Sequence, residues 1–419
     1  MKDRTEVKAV FKYPILEAIA RRRSRRFPLG CTSPPGALHY ASQKQPIPLN
    51  DLETAILCWS GAGITGGITG DLPTRFFGNT FGTWIGRATP FGCNVQNTKL
   101  FFTNDSGTFL YDPKGATKPV EIENEADWEK IVDYYKKDCI RVLDERVEFL
   151  PRVLGNPNNW NINKPGTTVF IPVVDQSEGY INFLLGVFGN EGYGYRLFDD
   201  IKGCSAGLQG WIDKGKLSGP VVPLTSFENS LMLNHLAPAY LMMENIHLVA
   251  EAMGLGAVMF GGYTGTVLLG ITPMSKGLGF RSQKGKDDKE NPVGLDGIFE
   301  AYCPPYYKNM DEAVDAFVEK KFGPAGPYAG EYEGLKAFKD WETVRSDYII
   351  PGKSSIAQVK SYLNYIYESY GRIPVTSDTK LLPVWLQAHH LDLDFYEKYL
   401  EKGMISETHR NHMGLWHSK

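Results

Sequence analysis

Five arginines crowd around one serine in "AIARRRSRRFPLG", residues 18–30. A guanidinium presents a planar fork of N–H donors that suits phosphate and carboxylate oxygens. On an extended segment alternate residues share a face. Arg22, Ser24 and Arg26 would therefore point together and offer two forks and a hydroxyl to one anion, such as a phosphate monoester. Alone, a basic five-mer is also the pattern of a solvated face or a targeting patch.

Two further stretches could meet a flat, polar ligand. In "TPFGCNVQN", residues 89–97, Asn94 and Gln96 follow Pro90 closely, and their amides both donate and accept. That is what the edge of a heterocycle with alternating C=O and N–H groups requires, although loop amides also form ordinary turns. In "GLGAVMFGGYTG" the pair Gly261-Gly262 would let backbone N–H groups approach a ring without a Cβ in the way, or simply make a tight turn.

A fourth concentration lies at the end of the chain, where five of the eight histidines fall within the last 31 residues. His409 and His412 stand at i, i+3 on a helix that Ser406 can cap, so both could face one ion with Asp392 or Asp394. The spacings of familiar metal motifs are missing, and Phe395, Tyr396 and Trp416 favour packing onto the core. No metal ligand is assigned there. A Walker loop, a G-x-S-x-G elbow, an H-E-x-x-H motif and a strand-preceded G-x-G-x-x-G are all missing as well.

These pieces need elements to hold them. Residues 14–22 read as a short helix ending in arginines, and Asn50 or Asp51 can cap a second over 50–61, followed by a glycine-rich loop. "NTKLFFTNDSGTFLYDP" reads as a hairpin, "TTVFIPVV" as a buried strand, and 125–145 as an amphipathic helix. Residues 228–254 form the clearest core helix, apolar on nearly every side and stopped by Gly254, with His235 and His247 as packed core histidines. Ser354 or Ser355 would cap a helix that Gly371 stops.

The chain carries a net charge of −3, while residues 1–30 alone hold nine Lys/Arg against three Asp/Glu, so the basic cluster is local. That balance argues against a nucleic-acid binder. Six scattered cysteines and a charged N-terminus without an apolar core suit a reducing cytoplasm. The uncharged run 252–275 is long enough to span a bilayer, but its glycines and Pro273 make a helix end, a glycine loop and a buried strand the better reading, and no membrane partner is expected.

In this order, "RRSRRF", "PFGCNVQN" and "AEAMGLGAVMFGGY" resemble the motifs of the nitroreductase family of flavin enzymes. "ATPFGCNVQNTKLFF", "GTFLYDP" and "YGYRLFDD" look most like its peptide thiazoline/oxazoline dehydrogenase branch. The resemblance covers about half of the chain. It implies an α/β (α+β) fold, a mixed sheet flanked by helices, in an intertwined homodimer that binds FMN. Arg22, Ser24 and Arg26, with Arg23 in the same motif, would hold the phosphate and ribityl chain. Pro90, Phe91, Gly92, Asn94 and Gln96 would approach the flavin from the partner subunit. Gly261 and Gly262 would set N–H groups near its N5 and O4, and Arg281 or Lys284 would close the phosphate site.

Phe91 and Gly92 stand where the family commonly has small hydroxyl residues, and Gly261 where an acidic one often sits. The implied activity is hydride transfer at N5 to or from a small organic or peptide-derived substrate, with NAD(P)H a candidate electron donor. Tyr195, Tyr263 and Cys93 are candidate proton acceptors by location, each with packing as the alternative. The division expected is a flavin-binding domain over 1–285, with an insertion at 116–225, and a helical extension over 286–419. A non-catalytic flavin carrier or sensor would need the same cradle, and a metal-dependent enzyme would centre on the C-terminal histidines.

Overall fold

The computed structural model describes residues 4–67, 82, 85–91, 95–113, 127–150, 156–188, 193–261, 265–328 and 339–417. Gly92, Cys93, Asn94, Gly262 and Tyr263 lie outside the described residues.

Three small sheets accompany one large one. The small ones are β1 (Ile64–Gly67) with β2 (Ile85–Arg87), β7 (Arg196–Phe198) with β8 (Val221–Pro223), and β10 (Arg281–Lys284), β11 (Glu290–Leu295) and β12 (Phe299–Glu300). The large sheet contains β3 (Thr98–Asn104), β4 (Gly107–Tyr111), β5 (Cys139–Leu143), β6 (Thr168–Asp175), β9 (Gly256–Gly261), β13 (Lys380–Leu381) and β14 (Val384–His389). Its order is β5-β4-β3-β6-β14-β9, with β13 also beside β6, and these strands pair antiparallel.

Strand alternation builds two cores from this sheet. Leu100, Phe102, Phe170, Val174 and Leu386 face helix Asp51–Ala62 and the long helix Leu224–Met253, where Ala239, Met243 and Ile246 meet them. Phe101, Val169, Ile171, Val173 and Trp385 face the other side, with Leu268, Leu269 and Phe280. Every residue of β6 is buried, as its unbroken apolar run requires of a strand covered on both faces.

A third core joins helix Gln176–Val187 and the start of the long helix to helices Met310–Phe322 and Lys353–Tyr370. The long helix stops at Gly254, whose φ of +84° an L-residue with a Cβ rarely adopts. No helix among the described residues is long and apolar enough to cross a membrane.

The chain departs from the sequence reading in several places. The region 286–419 is not a helical extension alone: β14 lies inside the large sheet between β6 and β9, so the end of the chain is part of the core. The stretch 116–225, expected as an insertion, likewise supplies the central strand β6. Val384, Leu386 and Ala388 face one core and Trp385 the other, and so short a two-sided apolar run has no period that separates strand from helix. The glycine-rich stretch after Ala62 opens with β1, and the helix expected over 125–145 ends at Asp138 and passes into β5. Gly352, not a serine, occupies the N-cap of Lys353–Tyr370.

Candidate functional site

The arginine segment runs extended beside β9. Ser24 makes a parallel bridge to Ala257, and the Arg25 N–H donates to the Ala257 carbonyl at 3.2 Å. Alternation then sorts the side chains. Arg25 and Phe27 are buried, Ser24 is exposed, and Arg22 and Arg26 are half-buried.

Arg25 points inward to a buried ion pair with Glu251 of the long helix, and also donates to the Met404 carbonyl at 3.0 Å. Arg21 pairs with Glu17 at 2.7 Å, and Arg23 donates to the Ala20 and Arg22 carbonyls. These three arginines anchor the segment. Beneath it, burial lowers the His247 imidazole to about 4, and His247 Nε2 lies 3.3 Å from the Arg23 carbonyl.

The outward set is less fully engaged. Arg22 Nε lies 3.0 Å from a Glu244 carboxylate oxygen, without hydrogen-bond geometry. Arg26 donates to Asn158 Oδ1 at 2.6 Å and sits 5.1 Å over the Phe260 ring, which stacks on Trp385. Its Nε is buried with no acceptor, and burial lowers its affinity for the proton. Asn158 and Asn161, whose side-chain amide donates to the Arg26 carbonyl, come from the Asn-rich loop after residue 155. Sequence reading did not connect that loop with the arginines, because nothing in the spacing links positions so far apart.

Gly261 closes β9 at an exposed position, and a Cβ built there would meet nothing nearer than the Pro383 carbonyl at 3.6 Å. Arg22, Ser24, Arg26 and Gly261 thus come from two neighbouring extended segments at one edge of the sheet.

Phe91 and Gln96 lie elsewhere, lining a depression with Arg87, Thr89, Lys99 and Met242 that includes none of those four. Gln96 adopts a φ of +63°, in the left-handed region that few side chains other than Asn or Gly accept readily. Pro90 is exposed beside it. Arg281 pairs with Asp296 across its own hairpin, and Lys284 with Asp288 at 3.0 Å. Tyr195 is half-buried, 5.4 Å from the Tyr193 ring, and packs on the third core.

The histidine-rich end makes a second polar cluster, with different members from those expected. His409 turns to Ser406, its Nδ1 2.5 Å from Oγ, and Asp392 and Asp394 lie near Lys44. His412 instead meets Glu53, His390 and His417. Glu53 was hidden in the sequence because Asn50-x-x-Glu53 reads as a capping box, which it also is.

Comparisons with known proteins add little to this geometry. No family model matches the chain, and no curated protein matches it. Among solved structures, a protein of Ralstonia eutropha JMP134 named a "putative nitroreductase" aligns over 59% of this chain and 70% of its own. The identity is 15% and the TM-score 0.25, a likeness too low to bear on fold or function.

Proposed function

We propose that the chain is an FMN-dependent oxidoreductase of the nitroreductase type, acting as a homodimer on a small organic or peptide-derived substrate. The observation that carries this reading is the run of the Arg22–Arg26 segment beside β9, the edge strand that Gly261 closes. Donors crowd there without enough acceptors. Arg26 Nε is buried and unpartnered, and the room above Gly261 is open. A phosphate monoester would satisfy the donors, and a flat ring could lie close to the glycine backbone.

When bound, the flavin supplies hydride transfer at its ring. The chain's own part is to bind and orient. Arg26 is fixed by Asn158 and by the Phe260–Trp385 stack, so one fork is held in place in advance. Arg22 is shared with Glu244, and a phosphate must compete with that carboxylate.

Two features support the dimer. Phe91 and Gln96 line a depression that includes none of the arginine-edge residues of their own chain, and in the proposed dimer a second copy would bring them to that edge. The short helix Ile15–Arg21 packs on the long helix, and exposed apolar side chains stand on both: Ile15, Leu16 and Ile19 on the first, Leu233, Tyr240 and Leu241 on the second. Apolar groups gathered in this way mark an association surface.

The test is the visible spectrum of the purified protein, followed by anaerobic addition of NADH or NADPH. A yellow protein bleached by either is a reductase, and a yellow protein bleached only by an oxidisable substrate is a dehydrogenase. A colourless protein that stays colourless in FMN ends the reading.

A further inference from the structure

Four ligand-type atoms converge where helix Asp51–Ala62 meets the ends of strand β14 and helix Glu407–Trp416. Glu53 Oε1 lies 3.1 Å from His390 Nε2, 2.9 Å from His412 Nε2 and 3.1 Å from His417 Nε2. All four atoms fall within 4.8 Å of one another. Glu53, His390 and His412 are buried, and the His417 side chain is 19% exposed.

The other atoms of these side chains settle where the protons sit. His390 Nδ1 is 2.8 Å from the Ile47 carbonyl, and His412 Nδ1 is 2.7 Å from the Met253 carbonyl. A carbonyl only accepts, so each Nδ1 carries the proton and each neutral ring turns an Nε2 lone pair inward. Glu53 Oε2 accepts from the Asn50 N–H at 2.7 Å, which leaves Oε1 to face the histidines. Backbone carbonyls fixing Nδ1–H in this way are the usual outer partners of a metal-ligating histidine.

Left to itself the cluster sets acceptors against acceptors. His412 Nε2 is buried without a hydrogen-bond partner, despite its closeness to Glu53. His417 Nε2 lies 3.1 Å from His390 Nε2, and at most one proton fits between two ring nitrogens. A neutral His417 can give its Nε2–H to Glu53 Oε1 at 3.1 Å, but the His412 Nε2 lone pair then still faces that oxygen at 2.9 Å without a donor. One divalent cation takes all four lone pairs at once.

We infer that Glu53, His390, His412 and His417 bind one divalent transition-metal ion of the zinc class. Three imidazoles and a carboxylate suit such an ion better than calcium or magnesium, which take oxygen. Tetrahedral bonds of about 2.0–2.2 Å separate ligand atoms by about 3.3–3.6 Å. The contacts of 2.9–3.1 Å reach that spacing by a small outward movement, and the remaining pairs, within 4.8 Å, by drawing together. Four protein ligands leave no open position, so the ion fastens the end of the chain to the sheet and helix Asp51–Ala62.

The test uses full-length protein carrying no histidine tag, produced with zinc, iron and manganese available and purified without chelator. Elemental analysis should find about one such ion per chain, and Co²⁺ added to stripped protein should give the visible bands of a tetrahedral site. His417→Ala, at the half-exposed edge, should fold and bind Co²⁺ at least about tenfold more weakly, and His412→Gln should abolish the bands. Chelation should lower the thermal midpoint of the wild type and leave that of folded His412→Gln unmoved. Stripped wild-type protein that takes up neither Zn²⁺ nor Co²⁺ would overturn the assignment, as would equal Co²⁺ binding by folded His417→Ala. Neither readout depends on flavin.

Discussion

The arginine edge and the histidine cluster hang on the same long helix but lack opposite things. At the edge, Arg22 and Arg26 carry donors that Glu244 and Asn158 satisfy only in part, and solvent reaches Ser24. In the cluster, Glu53 and its histidines turn lone pairs onto one another in a buried space. Surplus donors at an open edge call for an anion that can come and go. Surplus acceptors in a closed one call for a cation that stays.

Breaking the open edge should produce the largest effect. Each charge-assisted hydrogen bond to phosphate is worth about 1.5–3 kcal/mol, so Arg22→Ala with Arg26→Ala should weaken FMN binding by roughly 10²–10⁴-fold. A fluorescence titration on the folded double variant measures it, and unchanged affinity would return the segment to a solvated basic patch.

Arg25 separates anchoring from binding within the same five residues. Removing one partner of a buried ion pair costs about 3–5 kcal/mol, so Arg25→Ala should lower the denaturation free energy by that amount. Arg25→Met with Glu251→Leu should recover most of it. If Arg25→Ala proves as stable as the wild type, the inward and outward sorting is wrong.

His247 tests the ground beneath the arginines. Its folded value is about 4 against an ordinary 6.5, because burial disfavours the imidazolium, so the unfolded chain binds the extra proton. Its contribution is complete above about pH 6.5 and is lost as pH falls toward 4. At pH 5 the loss should be on the order of 2 kcal/mol, and His247→Gln should flatten that part of the profile in denaturant titrations. A variant that keeps the full slope would place the titration elsewhere.

The smallest effect is expected at Arg281, which Asp296 already claims across an exposed hairpin. Arg281→Ala should leave FMN affinity within about twofold, since an exposed pair on its own hairpin contributes little. A loss comparable with that of Arg26→Ala would show that Arg281 closes the phosphate site after all.

Much of the framework was legible from short-range pattern. The β3–β4 hairpin, the buried β6 run and the long helix ending at Gly254 carry their signals in neighbouring residues. What escaped depends on contacts between distant parts of the chain. β14 pairs with strands more than a hundred residues earlier, and no local signal names its neighbours. The histidines were noticed as a group, but the choice of His412 over His409, and of Glu53 over the nearby aspartates, is made by where helix Glu407–Trp416 docks. Capping explained Glu53 well enough on the page to conceal its second oxygen.

The edge formed by Arg22, Ser24 and Arg26 is proposed to hold the phosphate of FMN. Riboflavin has the same ring and ribityl chain without the phosphate, so parallel titrations of the wild-type protein with FMN and riboflavin at low ionic strength isolate it. FMN should bind at least about 100-fold more tightly, the worth of two charge-assisted contacts. Equal affinity for the two, or binding of neither, would contradict the account.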